Sequence, residues 1–569
     1  MNEFAELRKS LYLNHAPDDP EGYVRLARFL SGQDGALDTE LEDMARLQAY
    51  SRGAALSGSP YAAAGEEYAR TALLKRAGSS PYTDRYLAAL HRVSKPQDKS
   101  SSLCRPEAHP DTHSPGKQAT IVQPIFYGDP ALPGGANGGG LGTLIRSLGK
   151  ALAQQGLPVI TIATQGVDAS GTKLPQTVML DDGHELRRLP LTLPARNPKA
   201  FLLASSRIEA ASEDALHELA GSGNIVHIRY IDDASRSVAA AARRLNLCIA
   251  LTLTPDPHRS VCGPDGRLVS RSIEVVRELF NRILIGDDLL RWSHGLVGIG
   301  REAFSSALPE FFPQLENVRG TVRAGIDEGV NTDEPEPIVD PARLLCDPAL
   351  ALPLDPLRVG EPAIICVGRL NALKGQLNLA RAWAAGPLAE RWNLILIGGE
   401  LDKPSEEERV QRDGIRALLS SATMGRLCHL PAQDNTVVRS LLSWWGSRRP
   451  SAGSDIYVCP SLKEEFGLSI LEAMAAGLPS CAPLNGGARG YMRHGINGFL
   501  LDTRDSSSLG RELGALLAQG ALEMDRLEGL RAEAKRSIEE GYSLKAMAAA
   551  YADFYERLSS GKERHHERP

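Results

Sequence analysis

Short apolar runs of strand type alternate with helical stretches twice along this chain. That double alternation constrains the fold more than any other feature. The first series opens at Ala119–Tyr127 (ATIVQPIFY) and continues through Val159–Ala163, Asn224–Ile228, Cys248–Leu253 and Gly295–Ile299. The second opens at Ala363–Val367 (AIICV) and continues through Leu394–Ile397, Leu427–Leu430, Ile456–Cys459 and Ser480–Ala482. A strand that returns through a helix re-enters its sheet in the same direction, so each series predicts a parallel, doubly wound α/β sheet. The expected order is a helical N-terminal extension (1–95), a polar linker (96–118), a Rossmann-like domain (119–340), a second linker (341–362), a second Rossmann-like domain (363–540), and a C-terminal helix with a polar tail (541–569). Tyr23, Leu26, Ala27, Phe29 and Leu30 recur at helical spacing in the extension, whose expected uses are oligomerisation or coverage of an acceptor. Ligands of such sheets collect at the C-terminal ends of strands, and a site between two halves is expected.

Composition narrows the function. A chain of 569 residues is too long for one core. A net charge of −6 gives no electrostatic footprint for nucleic acid. No apolar run approaches the roughly 18 residues needed to span a bilayer. The start, MNEFAELRKSLYLNHAPDDPEG, lacks the apolar core of a secretory signal. Eight cysteines without a CxxC pair argue for reduced thiols rather than a zinc site or disulfide framework. The expectation is a cytoplasmic protein with no transmembrane segment and no metal site.

Three segments can carry chemistry. PGGANGGGLG (Pro133–Gly142) stands between a strand and a helix. Glycines such as Gly139 and Gly140 let backbone approach a ligand, and the helix start offers N–H groups; a merely flexible loop has the same composition. VGRLNALKG (Val367–Gly375) places Arg369 and Lys374 after the first strand of the second half, where a planar fork and a point charge suit a diphosphate. A solvated loop is the alternative for that segment alone. In KEEFGLSILEAMAAGL (Lys463–Leu478), N–H groups at Gly467, Leu468 and Ser469 would face an anion at a helix start. Glu464 and Glu472 would repel phosphates, so they make sense as acceptors for hydroxyl groups on either side of a diphosphate. A nucleotide sugar has that layout, with ribose hydroxyls at one end and sugar hydroxyls at the other.

EEFGLSILE followed by AMAAGLP resembles the E-x7-E signature of the retaining glycosyltransferases of family 4, which have the GT-B fold. VGRLNALKG, AGIDEGVNT (Ala324–Thr332) and GGARGYMRHGINGFLLD (Gly486–Asp502) resemble other segments of that family. The resemblance covers about 119 to 560 and implies two Rossmann-like domains facing a cleft. It further implies that Arg369 and Lys374 hold the donor diphosphate, that Glu472 binds the ribose and Glu464 the transferred sugar. The backbone at Phe466, Gly467 and Leu468 would line the sugar-phosphate site. In the first half the match is looser. NIVHIRYIDDAS is similar to the acceptor side of the sucrose-phosphate-synthase branch, which makes His227, Arg229 and Asp232 acceptor candidates, although Arg229 stands where a second histidine is common. LTPDPHRS puts His258 at the position resembling the family's active-site histidine, with Arg259 as a phosphate contact. The glycine segment is spaced like that of glycogen and starch synthases. Arg489 and Gly490 depart from the usual Pro-Glu, which puts the choice of donor or acceptor in question.

The expected activity is retaining transfer of a sugar, UDP-glucose-like, from a nucleotide diphosphate to a hydroxyl of a small sugar or sugar phosphate. No metal or other cofactor is demanded, since Arg369, Lys374 and the helix start replace the usual Mg²⁺. Competing readings are a non-catalytic nucleotide-sugar sensor or scaffold, and a transferase acting on a membrane-surface, polysaccharide or protein acceptor. A phosphorylase-like enzyme using pyridoxal phosphate lacks a favouring lysine context.

Overall fold

The computed structural model describes residues 20–31, 39–53, 119–131, 139–166, 172–193, 198–221, 223–254, 272–305, 308–312, 315, 321–337, 340–400, 404–421, 423–448, 454–462, 464, 466–518 and 524–560. The expected linker 96–118 and the polar tail after 560 lie outside them. Two compact units emerge: Met1–Asp129 with Leu152–Ile326 and Tyr551–Pro569, and Pro130–Ala151 with Asp327–Ala550.

Unit 1 carries an eight-stranded sheet in the order β3-β4-β2-β1-β5-β6-β7-β8. Its strands are β1 (Ile121–Pro124), β2 (Val159–Thr164), β3 (Thr177–Asp181), β4 (His184–Leu189), β5 (Ile225–Ile228), β6 (Cys248–Leu253), β7 (Gly295–Ile299) and β8 (Val322–Ile326). Every neighbouring pair is parallel except β3–β4. Strands β1, β5 and β6 are buried at every position, as parallel strands covered on both faces must be. The hairpin β3–β4 was not anticipated, because its charged sequence TVMLDDGHELRRL hides an Asp182–Gly183 turn with Gly183 at φ +75. Strand β8 is likewise an addition, and it closes the edge.

The helices Pro20–Ser31 and Thr39–Gly53 pack on helix Ile273–Trp292. Tyr23, Val24, Leu26, Leu30, Leu41 and Met44 form one buried cluster with Val276, Leu279, Phe280, Ile283 and Leu284. Polar contacts fix the register: Tyr23 Oη donates to Asp287 Oδ2 at 3.2 Å and Gln48 Nε2 to Asp288 Oδ1 at 2.9 Å. The apolar stripe read from sequence therefore covers unit 1's own helix, which leaves that stripe unavailable to a second copy of the chain.

Unit 2 holds a six-stranded, all-parallel sheet in the order β11-β10-β9-β12-β13-β14. Its strands are β9 (Ala363–Val367), β10 (Asn393–Ile397), β11 (Leu427–Leu430), β12 (Ile456–Val458), β13 (Ser480–Pro483) and β14 (Phe499–Leu501). Its core gathers Ile364, Leu394, Leu396, Ile456, Val458 and Trp383. The expected linker 341–362 belongs to this unit. Asp340 caps helix Pro341–Leu345, Leu352 and Leu354 are buried, and Asp355 N donates to Gly425 O at 2.9 Å. Pro and acidic residues there mark caps and turns on a packed surface, and the boundary falls earlier, at Ile326–Asp327. Gly139 and Gly140 open helix Gly139–Gln154, whose start lies in unit 2 rather than in the first domain as expected.

Among the described residues no helix is long and apolar enough to cross a membrane, and the six described cysteines are free thiols.

Candidate active site

The site grows from the C-terminal ends of β9 and β12 in unit 2. After β9 the chain turns through a short 3-10 helix, Ala372–Lys374, capped by Asn371, whose side chain accepts from Lys374 N at 2.9 Å. Gly375 ends it at φ +69, and a Cβ there would lie 2.1 Å from Pro460 O, so only glycine allows the β9 loop to meet the loop after β12. That approach delivers Lys374 Nζ to Glu464 Oε2 at 2.6 Å. Ser461 Oγ donates to the same oxygen at 2.9 Å, and the Cys459 thiol lies 3.8 Å from it. Glu464 is only 7% exposed. A carboxylate so buried requires paired donors, and here they come from two loops. The Cys459 thiol is pushed up to about 11 by burial first and by Glu464 second, so it serves as a neutral neighbour rather than a nucleophile.

Beyond Glu464 the backbone reverses at Gly467, φ +88, which starts helix Leu468–Ala475. Ile470 N and Leu471 N both turn back to Gly467 O, at 2.9 and 3.2 Å. The N–H groups of Gly467, Leu468 and Ser469 precede this ladder and form the positive end of the helix. Phe466 packs its ring among Tyr491 and Tyr542, so its backbone, not its ring, is available to the site. One turn into the helix, half-buried Glu472 receives Asn435 Nδ2 at 2.8 Å. Burial raises the Glu472 carboxyl from its ordinary value, with Asn435 and Arg439 acting in the opposite sense. Arg369 is exposed on the loop after β9, where its charge acts on Glu408.

The structure thus brings Lys374, Glu464, Phe466, Gly467, Leu468, Ser469 and Glu472 together in unit 2. Sequence reasoning missed Ser461 and Asn435, which orient the two carboxylates, and Tyr491, whose Oη donates to Phe466 O at 2.6 Å. Ser461 stands three residues before Glu464 and could have been read as a donor to it. Asn435 comes from a helix 37 positions away in the chain and carried no local signal.

Unit 1 treats its candidates differently. His227 is fully buried, with Nδ1 2.6 Å from Tyr555 Oη and Nε2 2.8 Å from Thr252 Oγ1. Both ring nitrogens are engaged, and burial lowers its pKa well below the usual value, so His227 is a neutral core residue rather than the expected acceptor contact. Arg229 is buried as well, donating through Nη1 to Tyr551 Oη at 3.0 Å. Asp232 caps helix Asp233–Arg244 by accepting from Ser235 N at 2.7 Å. These three tie together elements of unit 1. His258 and Arg259 lie outside the described residues. No cluster of three His, Cys, Asp or Glu side chains suited to a metal ion occurs among the described residues.

Residues 355–536 match the family described as Glycosyl transferases group 1. A D-inositol 3-phosphate glycosyltransferase of Xylanimonas cellulosilytica is 26% identical over 436 residues, 74% of this chain and 93% of the relative. Among solved structures, sucrose-phosphate synthase from Thermosynechococcus elongatus superposes with a TM-score of 0.59 at 23% identity, covering 78% of this chain and 100% of that one. Anabaena HepE in complex with UDP and glucose gives 0.51 at 16% identity, covering 78% of this chain and 100% of that one. The two sheets share the GT-B fold of these solved structures, and the stretch that matches the glycosyl transferases group 1 model holds the strands of unit 2.

Proposed function

We propose that this enzyme transfers a glycosyl unit from a nucleotide diphosphate sugar, UDP-glucose-like, to a hydroxyl of a small sugar or sugar phosphate, with retention at the anomeric carbon. The observation that carries the reading is the placement of Glu464 and Glu472 on either side of the helix start at Gly467, with Lys374 bonded to the first. The helix end and the cations Arg369 and Lys374 match a diphosphate. Glu472 accepts from ribose hydroxyls and Glu464 from those of the transferred sugar. Preorganised positive charge stabilises the leaving diphosphate, whose oxygen takes the acceptor's proton as the glycosidic bond forms on the same face. In this reading the protein cations do the work of a metal, and none is required. The sugar-phosphate acceptor is supported by the relative named as an inositol 3-phosphate glycosyltransferase. The test is incubation with UDP-, GDP- and ADP-sugars and phosphorylated or neutral acceptors, with proton NMR of the product. Nucleotide release coupled to an anomer of the donor's configuration supports the reading; binding without transfer to any acceptor, or an inverted product, contradicts it.

A further inference from the structure

This inference rests on the proposed donor site and adds a specificity determinant to it. The turn Gly487–Gly490 follows β13 and is fastened at both ends to the segment holding Glu464. Gly487 N donates to Glu464 O at 2.8 Å, Glu464 and Gly486 form a β-bridge, and Tyr491 Oη donates to Phe466 O at 2.6 Å. The approach is close: a Cβ on Gly486, at φ +119, would lie 2.1 Å from Glu464 O. Arg489 is the sole charged residue of this turn, and it is exposed.

Several cations of unit 2 are held by protein groups. Lys374 meets Glu464, Arg493 meets Glu533, Arg448 meets Asp455, and Arg439 donates to Asp333 O. Among the described residues no hydrogen bond, ion pair or ring contact involves the Arg489 side chain. Three cationic features already serve the diphosphate in the proposed site. Arg489 stands on a turn whose backbone is bonded to that of Glu464, and its guanidinium is a donor fork suited to an oxyanion.

We propose that Arg489 recognises a second anionic group, separate from the diphosphate and carried on one of the two sugars. The group is a carboxylate on the transferred hexose or a phosphate on the acceptor. Calorimetry with wild type and Arg489→Gln tests this. One arm compares UDP-glucuronic acid with UDP-glucose. The other compares glucose 6-phosphate with glucose in the presence of UDP. The expected result is a preference of about 10-fold or more for the charged sugar in one arm, lost in Arg489→Gln, with affinity for UDP itself unchanged. The arm that responds names the source of the charge. Equal binding of charged and neutral sugars in both arms overturns the proposal, as does a substitution that weakens UDP alone to the same degree. Wild type that binds UDP without discriminating charge refutes only the role of Arg489, whereas failure to bind UDP refutes the UDP donor reading and this inference with it.

Discussion

Lys374 Nζ and Glu464 Oε2 lie 2.6 Å apart although 90 residues separate them in sequence. The cation assigned to the diphosphate and the carboxylate assigned to the transferred sugar are therefore one electrostatic unit. Lys374→Ala is expected to lower kcat by about 10²-fold or more, as loss of other preorganised charge stabilisers does. Glu464→Ala should also be severe, and the double variant should be less impaired than the product of the two single losses. A double-mutant cycle on kcat/KM checks this, with a coupling of about 1–3 kcal/mol expected for groups in direct contact. Strict additivity would show that the bond is incidental.

Ser461 holds Glu464 from the other side, fully buried and 2.9 Å from the same oxygen. Ser461→Ala removes one hydrogen bond to a charged group, worth about 1.5–3 kcal/mol. Thr503 Oγ1 bonds the Ser461 carbonyl, a contact that the substitution leaves in place. The loss should therefore fall mainly on kcat, by about 10-fold or more, with UDP affinity retained. Steady-state kinetics beside UDP calorimetry separate the two effects.

Glu472 supplies a pH signature. Its carboxyl titrates above the ordinary carboxylate value because burial penalises the charge. If the ionised form accepts from ribose hydroxyls, donor affinity should fall as pH drops through this raised value, at a higher pH than an ordinary carboxylate would give. The linkage to stability has the opposite sign. Between the unfolded and folded pKa values the folded state holds more protons, so this group's contribution declines as pH rises through that window. Glu472→Gln is expected to bind donor weakly, to lose this pH dependence, and to raise the melting temperature near neutrality. Calorimetry and thermal melts from pH 4 to 8 provide the check.

Gly486 tests the backbone junction. With φ at +119 and a virtual Cβ 2.1 Å from Glu464 O, Gly486→Ala must displace main chain. Backbone strain of this kind costs of order 1–3 kcal/mol, before the steric clash is counted. Urea denaturation should show that loss, and activity should fall together with stability.

The N-terminal helices give a stability prediction. Removing residues 1–53 uncovers Val276, Leu279, Phe280, Ile283 and Leu284, all buried in the intact chain. The truncated protein should melt lower and self-associate, which calorimetry and light scattering would register. Unchanged melting would show that the pair contributes nothing to unit 1.

Legibility followed the range of the interactions. Strands such as Cys248–Leu253 and Ala363–Val367 could be read because parallel strands buried on both faces are continuous apolar runs. The helix beginning at Leu468 could be read because Gly467 and the pattern after it are local. The β3–β4 hairpin escaped notice because its exposed strand carries no apolar run. His227 misled for a related reason: nothing adjacent in sequence shows that Tyr555, 328 residues later, fills its site. Asn435 was invisible on the same ground, since its partner Glu472 is a neighbour only in the folded unit.

The central claim, a nucleotide-sugar site built on Glu464, Glu472 and the helix start at Gly467, is tested most directly by calorimetric titration of UDP-, GDP- and ADP-sugars into wild type and Glu472→Ala. The account predicts saturable binding of UDP-glucose or a close relative of it, weakened by about 10-fold or more in the variant, as expected when a charged hydrogen-bond acceptor of the ligand is truncated. Absence of binding to every nucleotide sugar, or equal binding by the two proteins, would contradict it.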